Sequence, residues 1–172
     1  MTTVLVTGPI GGGKSTVCRR LAESGYPVYD CDSRCKELYD RVPGLKERIE
    51  SELGIPFAEL GRIFGDTSLR ERLEGIVYPL LIKDIESWKA SLESDFAFIE
   101  SAIALEKPAF HHLWDKVLMV TAERRFRLKR NPSVAERDAL QHFDPALIDY
   151  KITNDSDLGS LYTKIDKFLE SL

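Results

Sequence analysis

The stretch that most constrains this chain is Thr3 to Thr16, TVLVTGPIGGGKST. A short apolar run, Val4-Leu5-Val6, reads as a buried strand. Gly8-Pro-Ile-Gly-Gly-Gly13-Lys14-Ser15 follows and fits G-x-x-x-x-G-K-[ST]; a helical pattern begins directly after it. A strand before the motif and a helix after it are the context a phosphate-binding loop requires. Gly8, Gly11, Gly12 and Gly13 let backbone N–H groups surround phosphate oxygens without Cβ clashes. The new helix, entered through Ser15 and Thr16, points its N-terminal dipole at the same anion. Lys14 is placed to bridge the outer phosphates and Ser15 to ligate Mg²⁺. The expected ligands are therefore the phosphates of a nucleotide and Mg²⁺.

The rest of the 172 residues alternates strands and helices. A helix from Lys14 to about Ser24 stops at Gly25. Tyr26 to Tyr29 is a second strand, Phe96 to Glu100 a third, Lys116 to Val120 a fourth and Tyr150 to Thr153 a fifth. Alternation of this kind predicts an α/β fold, with a five-stranded parallel sheet covered by helices on both faces. Between the second and third strands lie about 60 largely helical residues, too many for a plain crossover. Helices are expected at Ser33–Asp40, Leu45–Leu53, Phe57–Phe64 and from Ser68 toward Glu93, the last opened by a capping box, Ser68 to Glu71. Pro79 lies inside that pattern and predicts a kink or interruption. Residues 33–88 read as a helical insertion in a single domain spanning 1–172. Ala122 to Arg130 reads as a basic helix ending at Asn131-Pro132, followed by a second capping box, Ser133 to Glu136. Leu158 to Leu172 is an amphipathic closing helix.

The formal net charge of −4 implies no broad basic surface for nucleic acid. No apolar run approaches the ~20 residues of a membrane span, and the N-terminus carries a strand rather than a signal peptide. Cys18, Cys31 and Cys35 are odd in number and lack zinc spacing, so they read as reduced thiols of a cytoplasmic protein. The histidines, His111, His112 and His142, do not have ligand spacing.

Two further features carry chemistry. Asp30 and Asp32 close the second strand, where a parallel sheet delivers side chains to its ligand edge. A carboxylate there suits accepting a proton from an attacking hydroxyl or holding a Mg²⁺-bound water. It equally suits an N-cap for the next helix, a role open to Asp32. Arg127 and Arg130 share a helix face, three residues apart. They fit either charge compensation on a transferring phosphoryl group or a solvated face on which losing either costs little stability.

GPIGGGKST, VYDCD, LEGIVYPLL, FIESAIALE, RLKR and a late ITND, in that order, resemble the dephospho-CoA kinase family over nearly the whole chain. The resemblance implies a three-layer P-loop kinase core with an insertion (33–88) for the coenzyme A moiety and a lid (124–143) over ATP. It implies transfer of the γ-phosphate of ATP to the ribose 3′-hydroxyl of dephospho-CoA, the last step of coenzyme A synthesis. The catalytic aspartate would be Asp32, with Lys14, Arg127 and Arg130 beside it. Arg137 and Gln141 form a later pair, and Asn154 would lie by the adenine. Tyr78-Pro79 stands where the family has His-Pro against the acceptor, and the lid is several residues shorter than usual. Two other readings remain open: a kinase for another small hydroxyl substrate such as a nucleoside or nucleoside monophosphate, and a nucleotide-binding switch. No γ-phosphate sensor of the kind a switch needs is legible. The expected partners are small molecules, with no nucleic acid and no membrane; a monomer is the default expectation.

Overall fold

The computed structural model describes the backbone of residues 1–172 and every side chain except those of Phe64, Arg137 and Leu140. The chain divides into two compact units, Met1–Asp30 with Leu92–Leu172, and Cys31–Ser91.

The first unit is built on five parallel strands: β1 (Thr2–Thr7), β2 (Val28–Asp30), β3 (Phe96–Glu100), β4 (Lys116–Thr121) and β5 (Tyr150–Thr153). Their order is β2-β3-β1-β4-β5, so β1 is central, flanked by β3 and β4. Because the strands run parallel, Thr7, Asp30, Glu100, Thr121 and Thr153 end on one edge. The order reverses around β1, and that is where open α/β sheets take their ligands. Alternate residues divide between the two faces. Val4, Val6, Phe98, Leu118, Val120 and Ile152 meet α1 (Lys14–Glu23) through Val17 and Leu21 and the C-terminal helix through Leu161, Ile165 and Phe168. The Ala104–Glu106 turn packs against β1. Among the described residues no helix is long and apolar enough to cross a membrane.

The second unit is helical: α2 (Cys31–Arg41), α3 (Leu45–Leu53), a 3₁₀ segment (Phe57–Gly65) and α4 (Thr67–Ala90). Leu38, Leu45, Ile49, Leu53, Ile63, Ile76, Val77, Leu81 and Ile85 are its buried apolar side chains. Back in the first unit, α5 (Arg124–Arg130) and α6 (Val134–Arg137) follow β4, and α7 (Leu158–Glu170) closes the chain.

Several local expectations fail. The second strand is Val28–Asp30 rather than Tyr26–Tyr29. α2 starts at Cys31, so Asp32 sits in its first turn and is not its cap; a carboxylate there still complements the helix dipole. Asp66 caps α4 by accepting from the Leu69 amide at 3.0 Å, and the Ser68–Glu71 capping box does not form. Ser133 makes no side-chain cap to α6, so the second box is absent too. α4 runs unbroken through Pro79. Pro79 is on the exposed side of the helix, and the carbonyl facing its ring belongs to Gly75, the most yielding backbone available.

Gly75 itself is exposed, and a Cβ added there meets nothing within 4 Å. Gly75→Ala should stabilise the fold by about 1 kcal/mol through helix propensity. A thermal melt followed by circular dichroism should show a midpoint raised by roughly 2–4 °C; a lowered midpoint would contradict the reading of α4 as one continuous helix.

Candidate active site

The turn from β1 into α1 depends on two glycines in particular. Gly8 has φ 140° and Gly13 φ 102°. A side chain at Gly8 would collide with the Val120 carbonyl, and one at Gly13 with the Asn154 amide. Gly12 is closely packed as well: its Cβ would lie 2.7 Å from the Val120 carbonyl oxygen. The loop is thus seated directly on the end of β4 and the residue after β5.

Five consecutive loop carbonyls accept hydrogen bonds from side chains. Lys14 Nζ donates to Gly8 O at 2.8 Å and Pro9 O at 3.2 Å. Arg127 reaches Ile10 O at 3.5 Å, Arg130 donates to Gly11 O at 3.2 Å, and Asn154 Nδ2 donates to Gly12 O at 3.1 Å. On the amide side, Ile10 N–H donates to Gln141 Oε1 at 3.0 Å. Gly12 N–H is used as well, donating to Pro9 O at 3.0 Å, and Pro9 has no N–H, which leaves the amides of Gly11 and Gly13 for an anion. α1 has no side-chain cap at Gly13. Helix starts leave first-turn N–H groups in want of an acceptor, and an anion can supply it. Thr16 donates its own amide back to Gly13 O at 3.1 Å, closing the turn.

Ser15 Oγ donates to Glu100 Oε1 at 2.9 Å. Glu100 ends β3, next to Asp30 at the end of β2. Burial raises the Glu100 carboxyl above its ordinary range; the hydrogen bond from Ser15 works against this and the charge of Asp30 adds to it. Cys18, one turn along α1 from Ser15, also hydrogen-bonds Glu100, and burial followed by that carboxylate's charge pushes its thiol well up. Glu100 was not among the expected site residues. Its signal is an acid closing the apolar run Phe96-Ala-Phe-Ile, on a strand that proves to be β1's neighbour. The oxygens of Ser15, Glu100 and Asp30 are of the kind Mg²⁺ prefers. Among the described residues no cluster of three or more His, Cys, Asp or Glu side chains makes a metal cage. Mg²⁺ in kinases needs none, because one or two carboxylates and the substrate phosphates hold it.

The arginines part company. Arg130 is exposed, bonding Gly11 O and also Asn154 O at 2.8 Å. Arg127, expected on a polar face with a solvated role as one of two readings, is only 8% exposed. Its guanidinium forms a forked pair with Asp138, and its Nε donates to Ala122 O at 3.0 Å. The pair with Arg127 holds the Asp138 carboxyl below its usual range. Asp138 was not anticipated; it comes beside Arg127 only because the chain reverses after α5. The side chain of Arg137 lies outside the described residues.

In the second unit, Asp32 is exposed in the first turn of α2. Tyr78 is half-buried on α4, one residue before Pro79. Burial and then the neighbouring Glu74 carboxylate, to which its hydroxyl donates, raise the phenol far above its usual value.

Comparison with known proteins points one way. Residues 2–146 match a family model described as dephospho-CoA kinase. The dephospho-CoA kinase of Porphyromonas gingivalis is 39% identical over 139 residues, covering 76% of this chain and 68% of that protein. A solved structure of TT1252 from Thermus thermophilus superposes with TM-score 0.82 at 24% identity, covering 99% of this chain and 97% of that one. The dephospho-CoA kinase from Campylobacter jejuni superposes with TM-score 0.68 at 18% identity, covering 98% and 96%.

The Arg127–Asp138 pair makes a testable claim about stability. Asp138→Asn leaves a buried guanidinium without its carboxylate and should cost about 2 kcal/mol near neutral pH. Asp138 has a folded-state pKa below its unfolded one, so its contribution is complete above the unfolded value of about 3.9 and disappears as pH falls through the folded value. Urea unfolding across pH should show the gap between wild type and variant closing in acid. Equal stability of the two at neutral pH would return Arg127 to the solvated face.

Proposed function

Because the chain belongs to the dephospho-CoA kinase family, we propose that it transfers the γ-phosphoryl group of ATP to the ribose 3′-hydroxyl of dephospho-CoA, giving coenzyme A and ADP. The observation that carries this reading is the β1–α1 loop, with its carbonyls held by side chains and its helix start uncapped, next to a Ser15–Glu100 oxygen pair.

Each residue has a part. The loop amides of Gly11, Gly13, Lys14 and Ser15, with the Thr16 turn behind them, bind the donor's phosphates. Lys14 now lies on Gly8 O and Pro9 O, and it turns to the outer phosphates when they arrive. Ser15 and Glu100 would hold Mg²⁺, which would supply positive charge against the donor's phosphates. Asp32 accepts the proton of the 3′-hydroxyl as that oxygen attacks phosphorus and the bond to ADP breaks. Its place two residues after β2 supports this role, because parallel strands deliver functional side chains at their carboxyl ends. Arg130, exposed and resting on backbone carbonyls, compensates the charge of the transferring group. Arg127 braces α5 against Asp138, so that Arg130 starts from a fixed position. Asn154 holds the loop on its adenine side, and Arg137 extends the ATP site. The helical insertion, residues 33–88 with Tyr78 and Pro79, takes the acceptor, and residues 124–143 form the lid. The protein works as a monomer in the cytoplasm.

Wild-type protein incubated with Mg²⁺-ATP and dephospho-CoA should give coenzyme A by mass spectrometry. Asp32→Asn should lower kcat by roughly 10²–10⁴ with ATP affinity kept, and Asp30→Asn should do less. Lys14→Ala should stop turnover in a folded protein. If Asp30→Asn proves the more damaging of the two aspartate variants, the base is misassigned.

A further inference from the structure

Dephospho-CoA carries its negative charge on one group, the diphosphate joining its adenosine to its pantetheine arm. To take that group from water, a protein needs a cation with hydrogen-bond donors still to give. An arginine fork matches phosphate geometry better than a lysine does.

The second unit contains six arginines. Five are engaged by the protein itself. Arg34 and Arg41 both pair with Asp84. Arg48 pairs with Glu52 at 2.8 Å, and Arg62 pairs with Glu59. Arg72 donates to the backbone carbonyl of Glu52. Arg70 differs from all of these. Its Nε is shut off from solvent and has no hydrogen-bond partner among the described residues. The carboxylate of Glu74 lies 4.0 Å away, near enough to attract the guanidinium and too far to accept its proton. A solute cannot reach that Nε, but it can reach the terminal nitrogens, and among the described residues Arg70 is the one arginine of this unit whose guanidinium makes no hydrogen bond.

Its surroundings are organised. Arg70, Glu74 and Tyr78 are spaced i, i+4 and i+8 along α4, so they stack on one helix face. The Tyr78 hydroxyl donates to Glu74, which fixes that carboxylate in the middle of the row. Glu74 in turn holds the guanidinium by charge without using up its donors. The terminal nitrogens of Arg70 sit on a side chain that is 42% exposed, within reach of a solute.

We propose that Arg70 binds the diphosphate of the acceptor, with Glu74 and Tyr78 as the residues that position it. The assignment rests on dephospho-CoA being the acceptor, as argued above.

Calorimetric titration of dephospho-CoA without ATP tests the assignment, at low and high potassium chloride, on wild type, Arg70→Gln and Arg70→Lys. Wild-type affinity should fall with salt. Arg70→Gln should bind about ten- to a hundredfold more weakly, the size of one charge-assisted hydrogen bond, and with a flatter salt response. Arg70→Lys should fall between them, and all three should share one melting temperature and one ATP affinity. Wild-type affinity in Arg70→Gln would overturn the site while leaving the proposed reaction standing. So would a loss that is equal in Arg70→Lys and comes with a lower melting temperature, which marks a structural arginine. Wild-type protein that binds no dephospho-CoA would overturn the reaction and this site together.

Discussion

The first unit depends on how the loop between β1 and α1 is held. A peptide unit has its N–H and C=O on opposite sides, so pulling carbonyls one way aims amides the other. Here the amides of Gly11 and Gly13 are left for a ligand, and the carbonyls from Gly8 to Gly12 are held by Lys14, Arg127, Arg130 and Asn154. Those donors come from α1, α5 and the residue after β5. They converge only because β4 lies beside β1 and β5 beside β4, so that all three deliver their carboxyl ends to the same edge. Sheet order, helix α5 and the anion cradle are therefore one construction. A nucleotide arriving at such a loop finds its donors oriented and pays less ordering entropy.

Charge is arranged around that loop with the same economy. Glu100 and Asp30 end adjacent strands, and the crowding of two carboxylates together with burial disfavours ionisation of Glu100. A divalent cation would reverse that logic, because it would add positive charge beside the two carboxylates. On the other side of the loop a buried guanidinium, Arg127, is matched by a carboxylate, Asp138, instead of being left to a ligand. The two arginines of the RLKR segment thus play different parts: one is bound into the protein, and the other rests on carbonyls at the surface.

What the sequence revealed and what it hid follows from the range of the interactions. The strand–loop–helix unit was legible because its signal is local: an apolar run, glycines at fixed spacing, then Lys14 and Ser15. β3, β4 and β5 were legible for the same reason, as apolar runs bounded by polar residues. Helix starts were less so. Asp66, Thr67 and Ser68 are three adjacent cap formers, and composition alone does not say which one the chain uses. Pro79 looked like a break because the rule concerns an average helix, whereas this one has Gly75 a turn earlier and solvent on that side. Arg127 looked like a surface arginine because Asp138 lies eleven residues away, across the reversal at Pro132. Glu100 became a site residue only once the strand order set β3 beside β1. The family resemblance put the motifs in order, but it did not supply these contacts.

The central claim is that the loop is preformed by the side chains that hold its carbonyls. Asn154 tests it most directly, since its amide touches Gly12 O, it is nearly buried, and no charge changes when it is removed. The measurement is the dissociation constant of ATP for Asn154→Ala by calorimetry, alongside a melting curve. A preformed loop predicts affinity weakened about tenfold, the size of one such hydrogen bond, with the fold retained. Wild-type affinity in a folded Asn154→Ala protein would contradict it, and would mean that the loop takes its shape from the nucleotide.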